Sequence, residues 1–123
     1  MNKIKVLIVD DKRIIGDLFN FALGDHGHHI TFVNNPLEAL DLVRREQFDI
    51  AFLDIIMPQK DGISLLKELK VVAPQLPVVM MSGFMVEEQR QRARALGAVT
   101  CLNKPFEREE LQEAIKAAIG IEI

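Results

Sequence analysis

The sequence predicts an α/β fold, a single open parallel sheet of five strands wound on both faces by helices. Two observations carry that prediction. Short apolar runs recur along the chain, and between them lie segments whose apolar residues keep helical spacing. The runs Val6-Leu7-Ile8-Val9 and Ile50-Ala51-Phe52-Leu53 show no polar alternation, the pattern of parallel strands buried on both faces. With 123 residues and 49% apolar content, the chain can bury one ordinary core.

Taken in order, strands are expected near Ile4 to Val9, His28 to Val33, Asp49 to Leu53, Pro77 to Met81 and Ala98 to Leu102. The first helix is expected just after Asp11. The second opens with Asn35 as a cap and Pro36 in its first turn, where a missing N–H costs nothing. Asp61-Gly62 starts the third, whose Ile63, Leu66, Leu69 and Ala73 share a face until Pro74 stops it. The fourth spans about Val86 to Leu96 and is closed by Gly97; the fifth carries Leu111, Ala114, Ile115 and Ala118 on one face. Right-handed crossovers place helices on both sides of the sheet. The second strand alternates Ile30 and Phe32 with His29 and Thr31, so it is expected at an edge.

Composition narrows the function classes. A net charge of −3, with no Lys/Arg stripe, argues against a nucleic-acid or anionic-membrane surface. One cysteine, Cys101, excludes an internal disulfide and suits a reducing compartment. No apolar run approaches the roughly 20 residues of a membrane span, and Met1-Asn2-Lys3 is not followed by a signal-peptide core, so a cytoplasmic protein is expected.

Three aspartates point to chemistry. Asp10 and Asp11 close the first strand and Asp54 the third, at the carboxyl ends where an open α/β sheet forms its ligand crevice. If the two strands are neighbours, the three carboxylates meet. Within about 5 Å they would repel by roughly 3 kcal/mol per pair at an effective dielectric near 20. Such a group needs a positive partner: a hard divalent ion such as Mg²⁺, which takes oxygen ligands, or Lys104 at the end of the fifth strand. A metal clamp, a lysine and a nucleophilic carboxylate suit phosphoryl transfer.

The ordered set Val9-Asp10-Asp11, Leu53-Asp54-Ile55-Ile56-Met57-Pro58, Asp61-Gly62, Met81-Ser82-Gly83, Gly97-Ala98 and Lys104-Pro105-Phe106 resembles the receiver domain of two-component response regulators, the CheY-like superfamily. The resemblance covers essentially the whole chain, residues 1–123, as a single domain. It implies a flavodoxin-like sheet of order 2-1-3-4-5, which composition and spacing alone leave open. It implies that Asp54 accepts a phosphoryl group from a phosphohistidine of a sensor kinase or histidine phosphotransfer protein. Asp11, Asp54 and the carbonyl of Ile56 would hold Mg²⁺, with Asp10 acting through water. Lys104 would pair with phosphoryl oxygens, the Ser82 hydroxyl would swing in to bond one of them, and Lys104-Pro105 would be cis. The change would pass through the region between the fourth strand and fourth helix to a downstream protein target, without direct nucleic-acid or membrane binding. On this reading the chain is no enzyme, but a phospho-acceptor that assists its own phosphorylation and dephosphorylation. A stand-alone regulator, a relay intermediate and the front of a larger protein all fit; kinase, target and oligomeric state stay open.

Taken singly, each residue has a plainer reading. Asp11 alone is a helix cap, Asp61 a turn and cap residue, Ser82-Gly83 a strand exit and Lys104 a solvated lysine. Asp54 has no helix directly after it, which weakens capping there. Three rival classes follow: a phosphorylation-silent receiver-like interaction domain, a flavodoxin-type FMN protein, and an aspartyl phosphatase. The second lacks a phosphate loop, since Asp10-Asp11-Lys12-Arg13 follows the first strand. The third lacks an acid two residues after its nucleophile, where Ile56 stands.

Five further expectations concern the surroundings. Cys101 stands where receivers usually carry an aromatic residue three positions before the lysine, and reads as a small half-buried hydrophobe. The fourth helix, with only Val86, Ala93 and Leu96 as anchors, is expected to be weakly held and to supply the switch. On the first helix, Ile15, Phe19, Ala22 and Leu23 suffice for packing, so part of Ile14, Ile15 and Leu18, beside Phe21, is expected to dock the histidine-bearing partner. Ile56 and Phe84 are expected to shield a phosphoryl group from water. His26, His28 and His29 read as a surface turn rather than a metal site.

Overall fold

The computed structural model describes residues 3–24 and 27–121. The strands are β1 (Lys5–Val9), β2 (His29–Val33), β3 (Ile50–Asp54), β4 (Val78–Ser82) and β5 (Thr100–Asn103). They alternate with α1 (Arg13–Leu23), α2 (Pro36–Arg45), α3 (Gly62–Val72), α4 (Glu87–Ala95) and α5 (Arg108–Ile119). All pairings are parallel and the order is β2-β1-β3-β4-β5. β2 is an edge, as its polar alternation implies.

Each face of the sheet has its own core. Leu7, Val9, Leu53 and Met80 point toward α2, α3 and α4, where Leu40, Leu66, Leu69 and Ala93 meet them. Val6, Ile8, Phe52 and Met81 point toward α1 and α5, packing on Phe19, Leu23, Leu111 and Ile115. Phe19 centres the second core, its ring 4.8 Å from that of Phe52 and 5.8 Å from that of Phe106. Gly16 lets α1 lie against β2, since a Cβ there would sit 2.7 Å from the Phe32 ring.

Three strands run one residue further than their apolar runs suggest. β3 ends at Asp54, β4 at Ser82 and β5 at Asn103. The ladder explains this: Ile55 N–H donates to the Met81 carbonyl at 3.0 Å and Lys104 N–H to the Ser82 carbonyl at 2.8 Å. Backbone pairing thus carries polar residues into the sheet, where side-chain polarity alone places them outside.

The expected caps hold for α2 and α3. Asn35 Oδ1 accepts from Leu37 N–H at 2.8 Å, and Asp61 Oδ1 accepts from Ser64 N–H at 2.9 Å. Gly97 closes α4 with φ of +103°. Two local expectations are corrected. Val86 is 44% exposed and anchors nothing, leaving buried Ala93 and half-buried Leu96 as the anchors that hold. His28 is buried rather than on a surface turn, because its Nδ1 accepts the Ile4 N–H at 3.1 Å; His29 is exposed and His26 lies outside the described residues.

Candidate functional site

The register of β1, β3, β4 and β5 builds one acidic crevice. Val9 pairs with Leu53, so Asp10 and Asp11 emerge beside Asp54; Ser82 pairs with Asn103, so Ser82 and Lys104 emerge together. Asp10 N–H donates to the Val33 carbonyl at 3.2 Å, and its Oδ1 accepts from Lys12 N–H at 2.8 Å. That fixes Asp10 fully buried, at 0% exposure, and Asp11 at the exposed rim. α1 is capped by Lys12 without a side-chain bond, so Asp11 is not a helix cap. Its plainer reading falls.

Lys104 Nζ lies 2.5 Å from Asp10 Oδ2 and 3.5 Å from Asp54 Oδ2. Asp54 Oδ1 accepts from Ile56 N–H at 3.3 Å. Burial first, and then the charge of Asp10, push the Asp54 carboxyl up from 3.8 to about 6; Lys104 and the Ile56 N–H pull it down, and Asp11 adds a smaller upward push. Ligand oxygens of Asp10, Asp11 and Asp54 lie within 4.8 Å of one another, an all-oxygen group suited to a hard divalent cation. The Ser82 hydroxyl is engaged nearby, donating to the Phe84 carbonyl at 2.9 Å and accepting from Phe84 N–H at 3.2 Å. The Lys104–Pro105 bond is cis.

Residues 6–116 match the family model of the response regulator receiver domain. The chain belongs to that family. It is 37% identical over 112 residues to sporulation initiation phosphotransferase F of Bacillus subtilis, covering 91% of this chain and 90% of that protein. It is 31% identical to the transcriptional regulatory protein ZraR of Escherichia coli, covering 97% of this chain but only 27% of the regulator. A CheY-like receiver domain from Methanospirillum hungatei superposes with a TM-score of 0.90 at 27% identity, covering 97% of this chain and 95% of that one. The beryllofluoride-activated NtrC4 receiver dimer superposes at 0.89 with 28% identity, covering 94% and 96%.

The receiver's expected residues thus gather as follows. Asp10, Asp11, Asp54 and Lys104 share one crevice, while Ser82 borders it with its hydroxyl turned to its own loop. Ile56 donates its N–H to Asp54 and exposes its side chain, and the Phe84 side chain is exposed as well. One positioning contact is not legible in the sequence. Gly62 packs against the end of β3, where a Cβ would fall 2.1 Å from the Asp54 carbonyl oxygen, and its N–H donates to the Ile55 carbonyl at 2.6 Å. The Asp61-Gly62 pair was visible in sequence as a cap and turn and as part of the receiver pattern, but without this contact.

The neighbouring surfaces divide the α1 stripe. Ile14 and Phe21 are exposed, at 68% and 83%, whereas Ile15 and Leu18 are half-buried against the core. Leu18, Phe21, Phe106 and Leu111 line a groove of about 200 Å³ between α1 and α5. Cys101 is half-buried, and burial pushes its thiol up, so it stays protonated near neutral pH.

Proposed function

We propose that this receiver takes a phosphoryl group onto Asp54 from a phosphohistidine of a sensor kinase or histidine phosphotransfer protein, with Mg²⁺ as cofactor. The observation that carries the reading is Lys104 set between Asp10 and Asp54, with Asp11 completing an oxygen cluster at the rim. Asp11 and Asp54, with the Ile56 carbonyl, would hold the ion, and Asp10 would act through water. When bound, the ion supplies positive charge that neutralises phosphoryl oxygens and keeps Asp54 ionised.

An Asp54 carboxylate oxygen attacks phosphorus, the P–N bond to the histidine breaks, and the imidazole nitrogen keeps the electron pair. Lys104 holds an oxygen of the transferred group. The Ser82 hydroxyl leaves Phe84 to hydrogen-bond another, which loosens the entry to α4 and signals to a downstream protein. Attack by water on the same phosphorus ends the signal, so the chain assists both its own phosphorylation and its own dephosphorylation without being an enzyme toward other substrates. Exposed Ile14, at the start of α1 nearest the crevice, and exposed Phe21, about two turns further along, supply an apolar docking edge for the donor. The proposed role is a cytoplasmic one; among the described residues no helix is long and apolar enough to cross a membrane.

Incubation with acetyl phosphate and Mg²⁺, followed by intact mass, tests the chemistry. A phosphoryl adduct that is absent without Mg²⁺ and absent in Asp54→Ala is expected. An unmodified wild-type mass would favour the phosphorylation-silent interaction domain instead.

A further inference from the structure

We propose that Arg90 and Asn103 form a latch that holds α4 in its resting place and thereby sets how readily the acceptor site switches. The inference rests on Asp54 being the phospho-acceptor. Arg90 Nη2 donates to Asn103 Oδ1 at 3.3 Å, joining the middle of α4 to the last residue of β5. Glu87 Oε2, 3.9 Å from Arg90 Nε, steadies the guanidinium one turn earlier. Asn103 directly precedes Lys104, whose N–H is bonded to the Ser82 carbonyl and whose ammonium pairs with Asp10 and Asp54. The latch therefore ties α4 to the strand end that presents the site's cation.

Beyond this tie, the α4 region is held by buried Ala93 and by half-buried Met85 and Leu96 on either side of the helix. Val86 at its start offers no side-chain cap. The segment entering the helix begins at Ser82, whose hydroxyl closes a turn with Phe84. Once that hydroxyl turns toward a phosphoryl oxygen, the turn opens and the backbone leading into α4 is released. At 3.3 Å the Arg90–Asn103 bond is already near the outer range of N–H···O geometry, so a displacement of about half an ångström breaks it. A contact present in one arrangement and lost in the other biases the equilibrium between them.

Hydrogen exchange of the unliganded protein and its affinity for beryllofluoride with Mg²⁺ test the latch, using Arg90→Ala, Asn103→Ala, the double variant and Arg94→Ala as control. Each single variant should speed exchange of the α4 amides and tighten beryllofluoride binding by about two- to tenfold, the range of one hydrogen bond. The double variant should add nothing further, and Arg94→Ala should match wild type. Unchanged α4 exchange in both single variants, additive effects, or an equal effect from Arg94→Ala would overturn the latch. Faster exchange without tighter binding would sever it from phosphorylation. A wild-type protein that binds no beryllofluoride would instead overturn the function of the site itself.

Discussion

Asp54 carries a charge that its surroundings resist. Folding raises its pKa from 3.8 to about 6, chiefly by burial, so the folded chain binds more protons than the unfolded chain between those values. Stability from this group is therefore full below about pH 4 and lost as pH rises through 6, an effect of about 3 kcal/mol for a shift of roughly two pKa units. Urea unfolding by circular dichroism in Mg²⁺-free buffer should show that decline in wild type and not in Asp54→Asn; equal slopes would contradict it. Lys104→Ala acts in the other direction, because it leaves the buried Asp10 carboxylate without its cation. A loss of about 3–5 kcal/mol is expected, partly restored by Mg²⁺. Gly62 is a third residue-scale test. With 2.1 Å available at the Asp54 carbonyl, Gly62→Ala should cost about 1–3 kcal/mol and slow phosphorylation. Asp61→Ala, which removes only the α3 cap, should cost about 1 kcal/mol and leave phosphorylation intact.

At the scale of elements, α1 and α4 have opposite surpluses. α1 has more apolar surface than its packing uses, and the structure places that surplus at Ile14 and Phe21 rather than Leu18. Ile14→Glu with Phe21→Glu should block phosphotransfer from the histidine donor while leaving acetyl phosphate labelling unchanged; equal loss of both would rule out docking. Leu18→Glu is uninformative in comparison, since it strikes a side chain packed on the core. α4 has too little burial, so a beryllofluoride-bound form should differ from the free form between about residues 82 and 96. Ile56 and Phe84, two residues after Asp54 and Ser82, are exposed and contribute to neither core. Replacing both with Ser should shorten the phosphoryl lifetime several-fold, and an unchanged decay would refute shielding.

Over the whole molecule, what could be read from the sequence was set by how local each signal is. Five strands and five helices follow from apolar runs and spacing because each element states its own buried face; β2 announces its edge position through His29 and Thr31. The acids and Lys104 were legible as a site because they close separate strands. What escaped depends on partners far along the chain. His28 is buried through a bond to Ile4 N–H, Gly62 matters because of the Asp54 backbone, and the division of the α1 stripe depends on α5 lying beside it. The strand ends shifted for the same reason, since Asp54, Ser82 and Asn103 join the sheet through hydrogen bonds that polarity does not reveal. On the proposed function, this sheet gathers three carboxylates and one ammonium around a common cation and leaves an Asp54 oxygen free to take phosphorus. A structure of the chain with Mg²⁺ and beryllofluoride measures this arrangement most directly. The fluoride adduct should sit on Asp54, with Asp11 on the metal and both Lys104 and the Ser82 hydroxyl on fluorine; an adduct elsewhere, or Mg²⁺ bound away from Asp11 and Asp54, would contradict it.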